Sequence, residues 1–206
     1  MKIKVEGFMR LFVVDEKTRK ILQDTGFLPN MIVGCGKEFV LDETCNYNKW
    51  NGGSGISAVA LGYSTDTNTG ILGPNAGRDV AIGGAWDGVS INDFRLSDEG
   101  ALARSSIVSK SRVGTTITLF AQFTDSQLIF GSNICKIREA GIFLHATTPP
   151  TADPRDIPAQ KPYAMIARRL YYGTNDPNSP TTYIDQPFYK VEGSGTLMFQ
   201  YKIMFG

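Results

Sequence analysis

The alternation of apolar and polar residues is most regular near the end of the chain, in the segment TLMFQYKIMF (residues 196–205). Every second position carries a large apolar or aromatic side chain: Leu197, Phe199, Tyr201, Ile203 and Phe205. This period of two is that of a β-strand, whose alternate side chains point to opposite faces. Because the aromatic face must be buried, the segment predicts a long strand that packs against a second layer of structure.

Five further regions combine β-forming residues with flanking polar turns, which is typical of strands. They are residues 2–26 (a strand, the turn DEKTRK and a strand), 56–64, 103–123 (two strands around a turn), 133–145 with a break at Gly141, and 163–172. One short helix is predicted from Lys37 to Thr44. The 22 glycines and 10 prolines favour many turns between these elements.

The predicted elements indicate an all-β fold, a two-sheet antiparallel β-sandwich with long loops and one short helix. We expect residues 27–206 to form the sandwich domain and residues 1–26 to form an N-terminal arm or hairpin. Two arrangements stay open for that segment. It reaches a neighbouring subunit, or it pairs with the main sheet.

Charge and composition exclude several classes of partner. Lys and Arg number 21 and Asp and Glu number 20, so the net charge of +1 offers no strong field for nucleic acid or an anionic membrane. No apolar run approaches the roughly 18–20 residues that cross a bilayer, and the N-terminus lacks the pattern of a secretory signal. One histidine and no Cys-x-x-Cys pair argue against a metal site. Three cysteines are interpreted as buried thiols in a reducing compartment: Cys35, Cys45 and Cys135.

The sequence shows no catalytic constellation. His145 is the single imidazole, at the end of a predicted strand, and neither a Gly-x-Ser-x-Gly elbow nor a phosphate-binding glycine motif is present. A thiol nucleophile at Cys35 would need His145 as its base. The adjacent carboxylates, such as those of Asp98 and Glu99, lie in polar turns and point apart, so they do not predict a glycosidase. We therefore predict no enzymatic activity and no cofactor.

Glu139 differs from the other acidic residues because it lies in the apolar segment KIREAGIFLHA. Burying an unpaired carboxylate costs several kcal/mol, so a buried Glu139 requires a cation or several hydrogen bonds. Arginine is the natural partner because its guanidinium group matches a carboxylate with two parallel bonds. We predict a structural ion pair between Glu139 and either Arg168 or Arg104 that fixes the register of neighbouring strands.

The order of several motifs resembles that of a broad group of tailed-bacteriophage virion proteins. NMIVGCGKEFVLDE, ISAVALGYSTDTNTG and LSDEGALAR resemble that group's NxIVxxGxxxxxD opening, its ixyxavGxgttxp strand and loop, and its LxxExxR motif. TITLFAQF, IREAGIFL, MIARRLYY and TLMFQYKIMF resemble its closing series of an aromatic-alternating strand, IxEaGlF, mxaRxxf and a terminal lxvxwxixf strand. The resemblance covers residues 30–205 and rests on the shared order and spacing of the motifs.

The resemblance implies a non-enzymatic β-sandwich in a phage tail, collar or fibre-attachment protein. The acidic residue of the EaG motif is Glu139 here, and the arginine of the aR motif is Arg168. The chain departs from the group's pattern in a long insertion, Gly70 to Gly100, and in a proline-rich loop after His145. Such a protein is expected in the virion after assembly in the host cytoplasm.

The expected partners are further copies of the chain, in a homo-oligomer, and other virion proteins, because virion proteins assemble through symmetric interfaces. Trp50, Trp86 and Phe94 are candidate interface anchors, since aromatic side chains dominate interface energetics. Trp86 alternatively covers the open end of the sandwich. A capsid decoration protein and a carbohydrate-binding module that grips host-surface glycans are alternative functions, and no other small-molecule ligand is expected.

Overall fold

The structure, a computed structural model, describes residues 4–45, 56–62, 99–128, 130–144, 156, 159, 163–171, 175–176, 179–183 and 187–206. Most of these residues are in strands: β1 (Val5–Val14), β2 (Ile21–Asp24), β3 (Leu28–Ile32), β4 (Ala58–Gly62), β5 (Glu99–Val113), β6 (Thr116–Phe123), β7 (Ile134–Ile137), β8 (Glu139–Phe143), β9 (Met165–Leu170), β10 (Asn175–Asp176), β11 (Ser179–Tyr183), β12 (Phe188–Val191) and β13 (Thr196–Phe205). The helix α1 spans Gly34–Cys45, and a short 3-10 helix spans Asp125–Gln127.

Eight antiparallel strands close into a barrel. Their order is β13-β6-β5-β4-β8-β9-β3-β1, and β1 pairs with β13 to complete the ring. The closing pair is long, since it runs from Val5 opposite Phe205 to Val14 opposite Thr196. Strand β2 also pairs with β1, beyond the end of β3. Two small two-stranded sheets, β10-β11 and β7-β12, accompany the barrel.

The predicted all-β class is confirmed, but the predicted two-sheet sandwich is wrong, because the strands form one closed sheet. The alternation in TLMFQYKIMF shows which face of the strand is buried, and that face is buried in a sandwich and in a barrel alike. Closure depends on the pairing of β1 with β13, whose residues lie almost a full chain length apart. Local sequence patterns carry no information about a pairing of that range.

The first and last strands build one wall of the barrel by regular alternation. Leu11, Phe199 and Ala121 are opposite one another on β1, β13 and β6, and all three are fully buried. The intervening residues of β13 are half-buried or exposed. Because β1 belongs to this wall, the segment 1–26 supplies a strand to the main sheet, and its turn is held by the Asp15 carboxylate, which accepts hydrogen bonds from the Thr18 amide and hydroxyl.

The opposite wall, formed by β4, β8 and β9, is buried on both of its faces. All five residues of β8 are buried, and so are Ala58 to Leu61 on β4. Small residues, including Ala60 and Gly141, alternate with larger apolar ones here. A strand that is buried on both faces shows a continuous apolar run in place of alternation.

The helix α1 packs at one end of the barrel. It begins three residues before the predicted start, directly after Val33, whose amide donates a hydrogen bond to the Ile166 carbonyl of β9 at 3.1 Å. A Cβ atom on Gly36 would collide with that same carbonyl oxygen, so the close approach of helix and strand requires glycine. Phe39 and Val40 of the helix face the barrel opening.

Candidate functional site

The Glu139 and Arg168 side chains form a buried ion pair on neighbouring strands. Arg168 donates from Nε and from Nη2 to Oε2 of Glu139, at 3.0 and 2.7 Å. The side chains are 2% and 0% exposed. Hydrogen bonds between charged groups are strong where water is excluded, and the two donors also fix the relative orientation of the side chains.

The pairing register places this ion pair on the outer face of the barrel wall. One row of directly opposite residues crosses five strands: Met31, Arg168, Gly141, Ala60 and Arg104. The neighbouring row, which includes Ile142 and Val59, shares its face with the barrel-lining residues. Because Gly141 has no side chain, Arg168 reaches diagonally across it to Glu139, two residues along β8.

Arg104, the second predicted partner of Glu139, lies on the same outer row. Its guanidinium carbon is 3.9 Å from the centre of the Phe143 ring, which is a cation–π contact. The structure therefore gathers Glu139, Arg168, Arg104 and Phe143 on one side of the wall. The candidate anchors Trp50, Trp86 and Phe94 and the histidine His145 lie outside the described residues.

A second arginine–carboxylate pair lies on the outer face of the alternating wall. Arg10 donates from Nε and Nη2 to the two Asp24 oxygens, at 2.8 and 2.6 Å, but these side chains are 21% and 32% exposed. The hydrogen bond from Arg10 is the main reason that the pKa of Asp24 is below its ordinary value. The Arg10 guanidinium also lies over the rings of Phe12 and Phe27.

The inside of the barrel contains a polar layer. Four buried side-chain atoms of the described residues have no hydrogen-bond partner: Asn30 Oδ1, Arg169 Nε, Tyr171 OH and Tyr201 OH. Burial raises the pKa of both tyrosines, although the Asn30 side chain beside Tyr201 acts in the opposite direction. Burial likewise lowers the pKa of Arg169, whose Nη1 donates to the Pro29 carbonyl.

Above this layer, the barrel opens into an apolar cavity of about 250 Å³. Strand residues such as Val5, Ile117 and Ile203 form its wall, Phe39 and Val40 of α1 lie beside its opening, and Tyr201 also lines it. Among the described residues that line it, Lys110 is the single charged one. On the other side of the polar layer, the barrel is filled by residues such as Leu11, Phe123 and Phe199, which are fully buried.

The opposite end of the barrel carries a polar depression of about 480 Å³. Its main acidic group, Asp125, accepts hydrogen bonds from Lys190 Nζ at 2.6 Å and from the Gly193 amide at 2.8 Å. Burial raises the pKa of Asp125, but these two bonds and the Lys190 charge outweigh it, so the net shift is downward. Both oxygens of this carboxylate are therefore engaged, and Asp15 and Glu16 line the same depression.

Several apolar side chains on strands are exposed. Ile21 and Leu22 of β2 are 51% and 54% exposed. In the β7-β12 ribbon, Ile134, Tyr189 and Val191 are also exposed. Phe27, in the connection between β2 and β3, is 36% exposed as well, so exposed apolar side chains occur both on strands and in a described loop.

The cavity was not predicted from the sequence. Tyr201 gave a weak signal, as a hydroxyl within an otherwise apolar face, whereas Lys110 gave none, because it lies in a polar hairpin.

Among the described residues no cluster of His, Cys, Asp or Glu has the arrangement of a metal site. In that same part of the chain no helix is long and apolar enough to cross a membrane. No family model, no curated protein and no solved structure matches the chain.

Proposed function

We propose that this chain is a structural subunit of a tailed-bacteriophage particle, in the tail, collar or head–tail region. It assembles there with further copies of itself and with other virion proteins. The ordered motifs of residues 30–205 support the proposal. The observation that carries it furthest is the exposed apolar edge strand β2, because such an edge is a ready template for pairing with another chain.

Strand β2 has the properties of a docking edge. It pairs only with β1 among the described strands, so its second edge is open. Ile21 and Leu22 are adjacent, and each is more than half exposed. The pairing with β1 shifts its register beside Ile21, but neither side chain supplies the charge that monomeric proteins often place on an open edge.

The state of Glu139 also supports a structural role. The carboxylate is fully buried and bonded to Arg168, so it has no access to a substrate proton in the described geometry. A buried ion pair of this kind disfavours other strand registers, because any slip would leave both charges unpaired. We therefore assign the Glu139–Arg168 pair to alignment of the barrel wall, on which the assembly surfaces depend.

Light scattering after size-exclusion chromatography tests the proposal on the purified chain. We expect a symmetric oligomer, and we expect the double variant Ile21→Lys, Leu22→Lys to be a monomer with unchanged circular dichroism. The matched control is Gln23→Lys on the same strand, which should keep the oligomer. A monomeric parent chain across the accessible concentration range would contradict the proposal.

Antibody labelling of purified particles in the electron microscope tests the location. A few copies at one vertex or along the tail would agree with the proposed position. Labelling over the whole shell would instead favour the capsid decoration protein, which shares the same assembly chemistry. The absence of label from intact particles would contradict both.

A further inference from the structure

We propose that the open end of the barrel binds one medium-chain carboxylate, with its alkyl chain in the cavity and its carboxylate beside Lys110. A ligand with a hydroxyl group at its far end should bind best, because that group would meet the polar floor. This inference goes beyond the assembly role and departs from the expectation that the chain has no small-molecule ligand.

The size and lining of the cavity define the apolar part of the ligand. Eight-stranded barrels are wide enough either to be filled by side chains or to hold one small ligand. Here one half is filled, and the other half leaves about 250 Å³ lined almost entirely by apolar side chains. An apolar cavity of roughly 150 Å³ takes up a molecule of benzene. By proportion this cavity accepts about ten carbon atoms, which fits one alkyl chain and excludes a two-chain lipid.

Lys110 defines the head group. It is exposed at the opening, and no described residue forms an ion pair with it. In the part of the lining that the structure describes it is the one charged group and most of the others are apolar, so an anion at the opening would find a partner there. A carboxylate that remains half in water avoids the cost of burying a charge while its chain leaves the solvent.

Tyr201 defines the far end of the ligand. Its side chain is fully buried and lines the cavity, and its hydroxyl has no hydrogen-bond partner. The neighbouring Asn30 Oδ1 is also unsatisfied. The space for both groups comes from Gly7, since a Cβ atom there would overlap the Asn30 side chain and approach the Tyr201 oxygen within 2.7 Å. The Tyr201 hydroxyl and the Asn30 amide oxygen lie side by side, and a ligand hydroxyl group, which both accepts and donates, is complementary to this pair.

Isothermal titration calorimetry with octanoate, 8-hydroxyoctanoate and octan-1-ol tests the three parts of the proposal. We expect saturable binding of octanoate with one molecule per chain. We expect 8-hydroxyoctanoate to bind about threefold to tenfold more tightly, since one net hydrogen bond is worth about that factor. In the Tyr201→Phe variant this advantage should disappear, while octanoate should bind as before.

The Lys110→Gln variant tests the contribution of the ligand's carboxylate separately from that of its alkyl chain. Because exposed ion pairs are weak, we expect octanoate to bind about twofold to fivefold more weakly and octan-1-ol to bind unchanged. The matched control is Lys20→Gln in the β1–β2 turn, at the other end of the barrel, which should change neither affinity. Equal affinity of octanoate for Lys110→Gln and the parent would overturn the assignment of the carboxylate.

Amide chemical shifts locate the ligand independently of affinity. Bound octanoate should shift the signals of Gly7, Ile203 and Phe39, and leave Phe123 and Leu197 in the filled half unchanged. Shifts confined to residues outside the cavity, or no saturable binding of either octanoate or octan-1-ol, would overturn the site. Equal affinities of octanoate and 8-hydroxyoctanoate for the parent would overturn the far-end hydroxyl. None of these outcomes depends on the oligomeric state that tests the assembly role.

Discussion

The two arginine–carboxylate pairs on the outside of the barrel have nearly the same chemistry and opposite surroundings. Arg10 and Asp24 join β1 to β2, and Arg168 and Glu139 join β9 to β8, each with two hydrogen bonds of 2.6 to 3.0 Å. The first pair is about one quarter exposed, whereas the second is almost completely buried. The contribution of an ion pair to stability depends on this exposure, because water screens the Arg10–Asp24 pair and not the Arg168–Glu139 pair.

The contrast extends to the walls that carry the pairs. The β1-β13-β6 wall has a buried inner face and a partly exposed outer face, so its outer residues tolerate exchange. The β4-β8-β9 wall is buried on both faces, so every substitution there affects packing or a buried charge. The same barrel therefore combines a permissive side and a restrictive side, and substitutions can test how far the two differ.

The largest effect is expected for Glu139→Gln. The substitution removes the charge that compensates the buried guanidinium of Arg168, and breaking a buried pair costs about 3 kcal/mol of unfolding free energy or more. Urea denaturation followed by circular dichroism measures this loss. The matched variant Asp24→Asn should cost less than about 1 kcal/mol, since its pair is partly solvated.

Equal losses of unfolding free energy for Glu139→Gln and Asp24→Asn would show that the two walls do not differ in this respect. If Glu139→Gln melts like the parent chain, the pair does not hold the wall in register, and the structural role proposed for Glu139 fails.

A smaller loss is expected where the helix presses on the buried wall. In Gly36→Ala the new methyl group meets the Ile166 carbonyl of β9, so the helix must move or the strand must shift. Overpacking of this kind costs about 2 kcal/mol. Gly131→Ala is the control, because a Cβ atom there meets nothing within 4 Å and should change stability by less than about 0.5 kcal/mol. A Gly36→Ala protein as stable as this control would contradict the close contact.

The exposed pair should respond to pH. The pKa of Asp24 is lowered from 3.8 by its hydrogen bond from Arg10, although burial opposes this shift. A lowered pKa in the folded state means that the pair stabilises the protein above that ordinary value and loses its effect as the pH falls through the folded value. The stability difference between the parent and Asp24→Asn should therefore stay constant from pH 7 down to about pH 5 and shrink as the pH falls below about 4. A difference that does not shrink below about pH 4 would contradict the ionic origin.

The smallest effect is expected for Tyr201→Phe, inside the barrel. Its hydroxyl is buried without a partner, so removing it forfeits no hydrogen bond in the described geometry and relieves a desolvation cost. We expect the free energy of unfolding to stay within about 0.5 kcal/mol of the parent or to rise by up to about 1 kcal/mol. A loss beyond about 1 kcal/mol in urea denaturation would show that the hydroxyl is satisfied in solution.

The sequence predicted the alternating wall better than the buried one. The period of two in TLMFQYKIMF correctly identified the buried face of β13, and the helix was found with an error of three residues at its start. The segments AVALG and MIARRL were recognised as strands, but nothing in them indicates that both faces are buried, because small and apolar residues suit either situation. The apolar context of Glu139 did indicate a buried carboxylate, and its neighbour in the fold is Arg168.

The features that the sequence did not predict all depend on contacts between distant segments. The cavity arises where β1, β6, β13 and α1 meet, so no single segment contains its pattern. Lys110 became a candidate only because its hairpin lies at the barrel opening. Ring closure requires Val5 to meet Phe205, which no local periodicity encodes.

The joining of β1 to β13 also sets an order of events during synthesis. Hydrogen bonds link Lys4 and Gly206 in both directions at 2.9 Å, so the barrel cannot close until β13 has left the ribosome. Until then, the open margins of β1 and β6 are exposed to other nascent chains, and their closure waits on a slow, long-range encounter. Expression at lower temperature, or a chaperone that shields β1, should therefore raise the yield of correctly folded protein.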